Sequence, residues 1–306
     1  MNLPKESQPQ DPRWPRASHW LEHSTSDSTQ ADFIVLGVPA HKTSISPTNA
    51  HLTPAAIRGA LSRYSTHHLS RDVDIAMLKV FDAADVQDPD GFEGELRVAD
   101  AIRKLNLDGK LLCALGGDNS ITHSVMHGIY GDAIASAGLI TLDAHYDLRD
   151  GISNGSPVQR LIEAGLRGQN VVQIGIADFS NSLEYAHRAR DYGITVISRD
   201  VLRRRPIADV MLEALDIAGT ATSGVYVDID VDVCDRAVVP ACPAAAPGGI
   251  SADELRQVCG VAGADRRVQA IDFTEIDASI DTPDQRTIRL AALCLLEAAA
   301  GRLSVL

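Results

Sequence analysis

The chain has 306 residues, 45% of them hydrophobic and 4% aromatic, and 41 acidic against 28 basic side chains give it a formal charge of −13. An acidic chain with no dense Lys/Arg cluster has no electrostatic footprint for a phosphate backbone, which excludes nucleic acid as a partner class. Cys113, Cys234, Cys242, Cys259 and Cys294 are scattered without a CxxC pair and read as reduced thiols of a cytoplasmic protein.

Residues 1–30 are rich in Pro, Ser, Asp and His and read as an N-terminal arm with no apolar signal core. No later stretch is long and apolar enough to suggest a membrane span. From residue 31 the pattern alternates between short apolar runs and helical periods. Strands are expected at Phe33–Val38 and Val80–Ala83, then a helix at Leu96–Leu105 and a strand at Leu111–Leu115. Helix Ser120–Tyr130, strand Leu139–Leu142, helix Val158–Ala164 and strand Val171–Ile176 follow. Next come helix Leu183–Tyr192, strand Ile194–Ile197, helix Ala208–Ala218 and strand Gly224–Val231. Helix Ala252–Val261, strand Val268–Phe273 and helix Thr287–Ala300 complete the series. Such alternation means βαβ units, so the expected fold is α/β, a three-layer α/β/α sandwich on a mostly parallel sheet of about eight strands. No linker, charge block or internal repeat divides it, and residues 31–306 are taken as a single domain.

In parallel sheets chemistry collects beyond the carboxyl ends of the strands. LDAHYD after Leu139–Leu142 offers Asp143, His145 and Asp147 at alternate positions, which converge if the segment stays extended. Mixed imidazole and carboxylate donors suit Mn, Zn, Fe or Ni better than Ca or Mg. VDIDVDVCD puts Asp228, Asp230 and Asp232 on one face if that strand also continues. Three such carboxylates repel one another unless a cation compensates them, and Arg236 is the only basic residue close in sequence. The two clusters could hold a pair of ions sharing carboxylates, which can lower the pKa of an intervening water from ~15.7 towards neutrality. LGGDNSIT after Leu111–Leu115 is a strand–turn–helix whose Asp118, Asn119 and Ser120 open the helix, and Glu275 ends strand Val268–Phe273.

The order GGDNS, DAHYD, SNGSP, DIDVDVCD, PGG and FTEID resembles the ureohydrolase (arginase/agmatinase) family over about Ala31–Leu306. That resemblance implies hydrolysis of C–N bonds in guanidino or amidino groups at two Mn(II) ions per chain, other divalent transition metals being possible, in a homo-oligomer, a trimer or hexamer. It also implies the ligand set. Asp143 and Asp230 would bridge the ions, His145 and Asp232 would complete one site, and Asp147 with Asn119 the other. Asp235 and Pro240 fix this register and leave Asp228 at a position often held by Ser. Glu275 would hold the amidino nitrogen, and Asp147, or a carboxylate near it, would pass a proton to the leaving amine. Asn119 and Asn154 stand where the family usually has histidines, which weakens one metal ligand and removes a candidate proton shuttle.

GGDNS with SNGSP and ACPAAAPGG is similar to the formimidoylglutamase branch, which hydrolyses N-formimidoyl-L-glutamate to L-glutamate and formamide in histidine degradation. Arg149, two residues past Asp147, is placed to recognise a substrate carboxylate, with Asn154 beside it. The alternatives are an agmatinase or other guanidino hydrolase releasing urea, and a catalytically silent relative. Arg160 reads as a surface salt bridge, His123 and His127 as helix-surface residues, and His41 and His67–His68 as loop residues. Cys242 reads as a pocket-lining thiol with no basic partner to activate it.

Overall fold

A computed structural model describes residues 11–306. In chain order its elements are α1 (Ala17–Glu22), β1 (Phe33–Val38), α2 (Thr53–Ala60), β2 (His67–His68), β3 (Val73–Asp74), β4 (Val80–Asp85), α3 (Gly91–Arg103) and β5 (Leu111–Gly116). Then come α4 (Ile121–Tyr130), β6 (Gly138–Leu142), α5 (Pro157–Glu163), β7 (Val171–Ile176), α6 (Leu183–Tyr192), β8 (Thr195–Ser198) and α7 (Arg199–Leu202). The last are α8 (Ile207–Ala218), β9 (Val225–Asp230), α9 (Ala252–Ala264), β10 (Val268–Thr274) and α10 (Arg286–Leu303).

Eight strands form one sheet in the order β4-β1-β5-β10-β9-β6-β7-β8, and all the pairings are parallel. Each expected strand is present. Strand residues alternate between two cores: Phe33 and Val35 pack on one side of β1, Ile34 and Leu36 on the other. Both faces are covered by helices, as a parallel sheet requires.

The sequence reading does not anticipate helices α2 and α7, and three further segments differ from it. Helix α3 starts at Gly91, not Leu96, because its first turn is the unpromising Gly91-Phe92-Glu93-Gly94 and Asp90 spends its carboxylate on the N–H groups of His41 and Lys42. His67–His68 pairs with Val73–Asp74 as a two-residue hairpin, so these histidines are not loop residues. Of the expected arm, residues 1–10 lie outside the described residues, whereas Ala17, Trp20 and Leu21 of α1 are buried in the core. No helix among the described residues is long and apolar enough to cross a membrane.

Strand β10, late in the chain, inserts between β5 and β9. The carboxyl ends of β5, β10, β9 and β6 therefore stand side by side, and they lead into Asn119, Glu275, Asp232 and Asp143 respectively.

Candidate metal centre

Strand β6 ends at Leu142, and Asp143–Asp147 is a loop, so these side chains do not converge by extended alternation as expected. The loop achieves it by turning. The Asp143 carboxylate accepts from the His145 N–H at 2.6 Å, and Asp147 adopts a left-handed φ of 53°. Strand β9 likewise stops at Asp230 instead of continuing, and a single 3-10 turn, Val231–Val233, carries Asp232. The Asp230 carboxylate accepts from the Asp232 N–H at 2.8 Å and caps that turn.

The two turns bring Asp143, His145 and Asp232 together, with one potential ligand atom from each lying within 4.8 Å of the others. His145 Nδ1 lies 2.8 Å from Asp232 Oδ2 and 3.4 Å from Asp143 Oδ1. Asp143, Asp147, Asp230 and Asp232 are all buried, and none is paired with a lysine or arginine among the described residues. Arg236, the only cation near in sequence, donates instead to the carbonyls of Cys242, Pro243 and Ala245. Arg199 reaches the carbonyl of Asp232, not its carboxylate.

Burial, reinforced by Asp232, pushes the Asp143 carboxyl up to about 6. Burial also raises Asp147 and Asp230 well above the ordinary carboxylate range, with Asp143 adding to the first and Asp232 to the second. For His145 burial opposes the charged form, yet hydrogen bonds to Asp143 and Asp232 prevail and lift the imidazole to about 11. Asp232 is the converse: burial opposes its charge, and contact with His145 holds it below the ordinary value. Negative groups here are short of positive charge, and the imidazole is the nearest substitute. Carboxylate oxygens around one imidazole fit a divalent transition metal.

Asn119 opens α4 at the edge of this cluster. Its Nδ2 donates to Asp147 Oδ2 at 2.6 Å, its Oδ1 accepts from Thr274 Oγ1 at 2.9 Å, and its backbone N–H donates to Glu275 Oε1 at 2.8 Å. Glu275, with φ of 63°, also accepts from Asn154 Nδ2 at 2.9 Å. Burial, then the neighbouring Asp118 carboxylate, raises Glu275 to about 8. Left-handed φ at Asp147 and Glu275 costs about 1–3 kcal/mol each, a strain typical of residues held for function. The turn before Asn119 demands glycine, since a Cβ on Gly117 would lie 1.7 Å from the Ala40 carbonyl oxygen.

Asn154 joins two loops, accepting from the Ile45 N–H at 3.0 Å and donating its own N–H to the Thr43 carbonyl at 3.3 Å. Arg149 lies exposed across Gly155, where a Cβ would sit 2.8 Å from its Cδ. Its guanidinium has no carboxylate partner among the described residues. Arg160 makes the salt bridge expected of it, a bidentate pair with Glu95 at 2.7 and 2.8 Å. His123 faces Glu95 at 3.6 Å and meets His127 edge to face, and burial lowers it to about 3. It is not the surface residue expected. Cys242 is buried, and burial plus the nearby Asp230 and Asp232 push its thiol well above the ordinary range, so it is no nucleophile.

Sequence reasoning missed a polar group beneath the site. Asp272 and Asp228 face each other in register on β10 and β9, both fully buried. Asp272 accepts from Tyr226 Oη at 2.6 Å, Thr122 Oγ1 at 2.9 Å and the Ile229 N–H at 3.1 Å. The signal was an aspartate in the middle of the otherwise buried strand VQAIDFT.

The profile of the arginase family matches residues 31–301. The chain belongs to the arginase family. This arginase-family chain is 35% identical over 279 residues to the formimidoylglutamase of Halalkalibacterium halodurans, covering 88% of the chain and 87% of that protein. It is 29% identical over 272 residues to the agmatinase of Pyrococcus horikoshii, covering 84% and 87%. The crystal structure of Bacillus subtilis formimidoylglutamase superposes with a TM-score of 0.87 at 29% identity, covering 99% and 96% of the two chains. Trypanosoma cruzi formiminoglutamase with Mn2+ shares the arginase-like fold, with a TM-score of 0.86 at 22% identity over 94% and 98% of the chains.

Proposed function

We propose that this arginase-family hydrolase cleaves N-formimidoyl-L-glutamate to L-glutamate and formamide, in the cytoplasm, as a step of histidine degradation. The cluster of buried Asp143, Asp147, Asp230 and Asp232 around half-buried His145, with no lysine or arginine paired to it among the described residues, carries the reading. In this proposal Asp143, His145, Asp147, Asp230 and Asp232 hold two Mn(II) ions, and Asn119 borders the second. When bound, the ions supply Lewis acidity and an acidified water at neutral pH.

The protein's own groups bind and orient the substrate. An amidinium is a planar cation, and the Glu275 carboxylate, fixed by the Asn119 N–H and Asn154 Nδ2, is the group to pair with its nitrogen. Binding that cation also favours the ionised form of a carboxyl that burial otherwise holds at about 8. Asp147, or a carboxylate near it, would carry a proton to the departing amine, since the amide of Asn154 cannot titrate. Arg149 is left to bind a substrate carboxylate at the rim. Agmatine carries an amine at its far end, which an unpaired guanidinium would repel, so Arg149 favours the acidic substrate over the agmatinase alternative. Residues 31–306 form the catalytic domain in this reading, and the assembly is a trimer or hexamer.

The test is an assay of glutamate, urea and ammonia release over formimidoylglutamate, agmatine and guanidino acids. Glutamate without urea supports the reading, and urea from agmatine overturns it.

A further inference from the structure

Away from the metal centre, a cavity of about 370 Å³ is lined by Trp14, Arg16, Arg63, Tyr64 and Arg289. Its three guanidinium groups come from three separate segments. Arg16 precedes α1 and bridges to Ser65, Arg63 lies just after α2, and Arg289 sits in the first turn of α10. Among the described residues none of the three is ion-paired, and the one side-chain hydrogen bond they make is a long one, from Arg63 to Gln285 Oε1 at 3.5 Å. Nε of Arg289 is buried with no partner at all.

Three other half-buried arginines of this chain are ion-paired. Arg58 is held by Asp82 and Asp85, Arg160 by Glu95, and Arg256 by Glu297. In a protein with 41 acidic side chains, three like charges around one cavity without a carboxylate are an arrangement that lacks its counter-charge.

Two more features bear on the occupant. The Arg16 guanidinium stacks on the Trp14 ring at 4.2 Å, which fixes one fork in a flat wall. The Tyr64 hydroxyl donates to the Arg289 carbonyl, which ties its ring to the first turn of α10. A concave space of a few hundred Å³ with convergent charged donors is of small-molecule size. Planar guanidinium forks match oxyanions with two or more oxygens in one plane.

We propose that this cavity is a binding site for a small polyanion, a molecule bearing phosphate groups or clustered carboxylates, distinct from the metal centre. Arg16, Arg63 and Arg289 are its ligands and Trp14 its wall.

The experiment is isothermal titration of the metal-loaded full chain with fructose 1,6-bisphosphate as the phosphate probe, tricarballylate as the carboxylate probe and fructose as the neutral control. Saturable binding of one or both probes, none of fructose, and affinity weakened about tenfold or more in Arg63→Gln and in Arg289→Gln are expected. Arg205→Gln, which removes a surface partner of Glu213, should leave binding unchanged. Should Arg289→Gln fail to fold, Arg16→Gln, in the more exposed segment, takes its place. Which probe binds more tightly distinguishes the phosphate from the carboxylate source. Flat titrations with both probes, or equal binding in the variants, overturn the proposal. So does a wild-type chain that ignores both probes but loses subunits when Arg63 or Arg289 is changed, because the cavity would then receive an acidic residue of a second copy.

Discussion

Asn119 Nδ2 donates to Asp147 Oδ2 across 2.6 Å, while the Asn119 oxygen is engaged by Thr274. The amide thus holds a proposed metal ligand in place, and its oxygen, which also accepts from Thr122 Oγ1 at 3.3 Å, has both lone pairs engaged. Asn119→Ala should leave the fold intact and weaken retention of one metal ion by about 10–100-fold, the usual loss when a supporting hydrogen bond to a ligand is removed. Metal analysis of protein dialysed against graded chelator checks this. Unchanged retention would mean that Asp147 needs no such support.

Arg149 is exposed and has no carboxylate partner among the described residues, so in the proposed reading its contribution should appear in binding. With formimidoylglutamate, Arg149→Ala is expected to raise KM by about 10–100-fold, the worth of a charge-assisted pair, with kcat nearly preserved. Arg149→Lys should recover only part of the loss, because an ammonium cannot reproduce the planar fork. A fall in kcat with constant KM would place Arg149 in the chemistry instead.

The metal-free protein should lose stability as pH rises. Glu275 at about 8 and His145 at about 11 both lie above their ordinary values, so what they contribute is present at low pH and is lost as pH climbs towards those values. Asp232, lowered, acts with the opposite sign only in acid below the ordinary carboxylate range, and His123, lowered to about 3, opposes the trend up to about pH 7, where the raised Asp147 and Asp230 act with Glu275 and outweigh it. Melting temperature without metal is therefore expected to fall between about pH 6 and pH 8, and added Mn(II) should flatten or reverse the trend, since ligands must shed protons to bind it. A metal-free melting temperature that rises over this window contradicts the charge balance described for the site.

Beneath the metal centre, Asp228 and Asp272 should respond unequally to removal. Asp272 accepts three hydrogen bonds, and Asp272→Ala strands the Tyr226 hydroxyl and the Ile229 N–H, at a cost of about 2 kcal/mol or more. Both oxygens of Asp228 lack a donor, and burial with Asp272 opposite keeps its carboxyl raised. Asp228→Ser removes one of two facing acids and should leave thermal stability equal or higher. Denaturation midpoints of the two variants decide the matter.

The sheet was legible because its strands are apolar runs bounded by polar turns, and each ended where residues such as Asp143 and Glu275 begin. Strand order was not, since the insertion of β10 between β5 and β9 leaves no mark in either segment. The aspartates of the site were visible as charges without partners. How they converge was misread: extended alternation was expected, whereas the left-handed φ of Asp147 and the 3-10 turn at Asp232 do the work. Asp272 was hidden because its partners, Tyr226 and Thr122, are distant in sequence. The arginine cavity was hidden for the same reason, as Arg16 and Arg289 meet only through the fold.

The most direct test of the central claim is glutamate release from formimidoylglutamate before and after exhaustive chelation, with metal content measured on the same samples. Two ions per chain in the active protein, loss of turnover on chelation and recovery with Mn(II) are the expected results. Undiminished turnover by protein shown to hold no metal would contradict it.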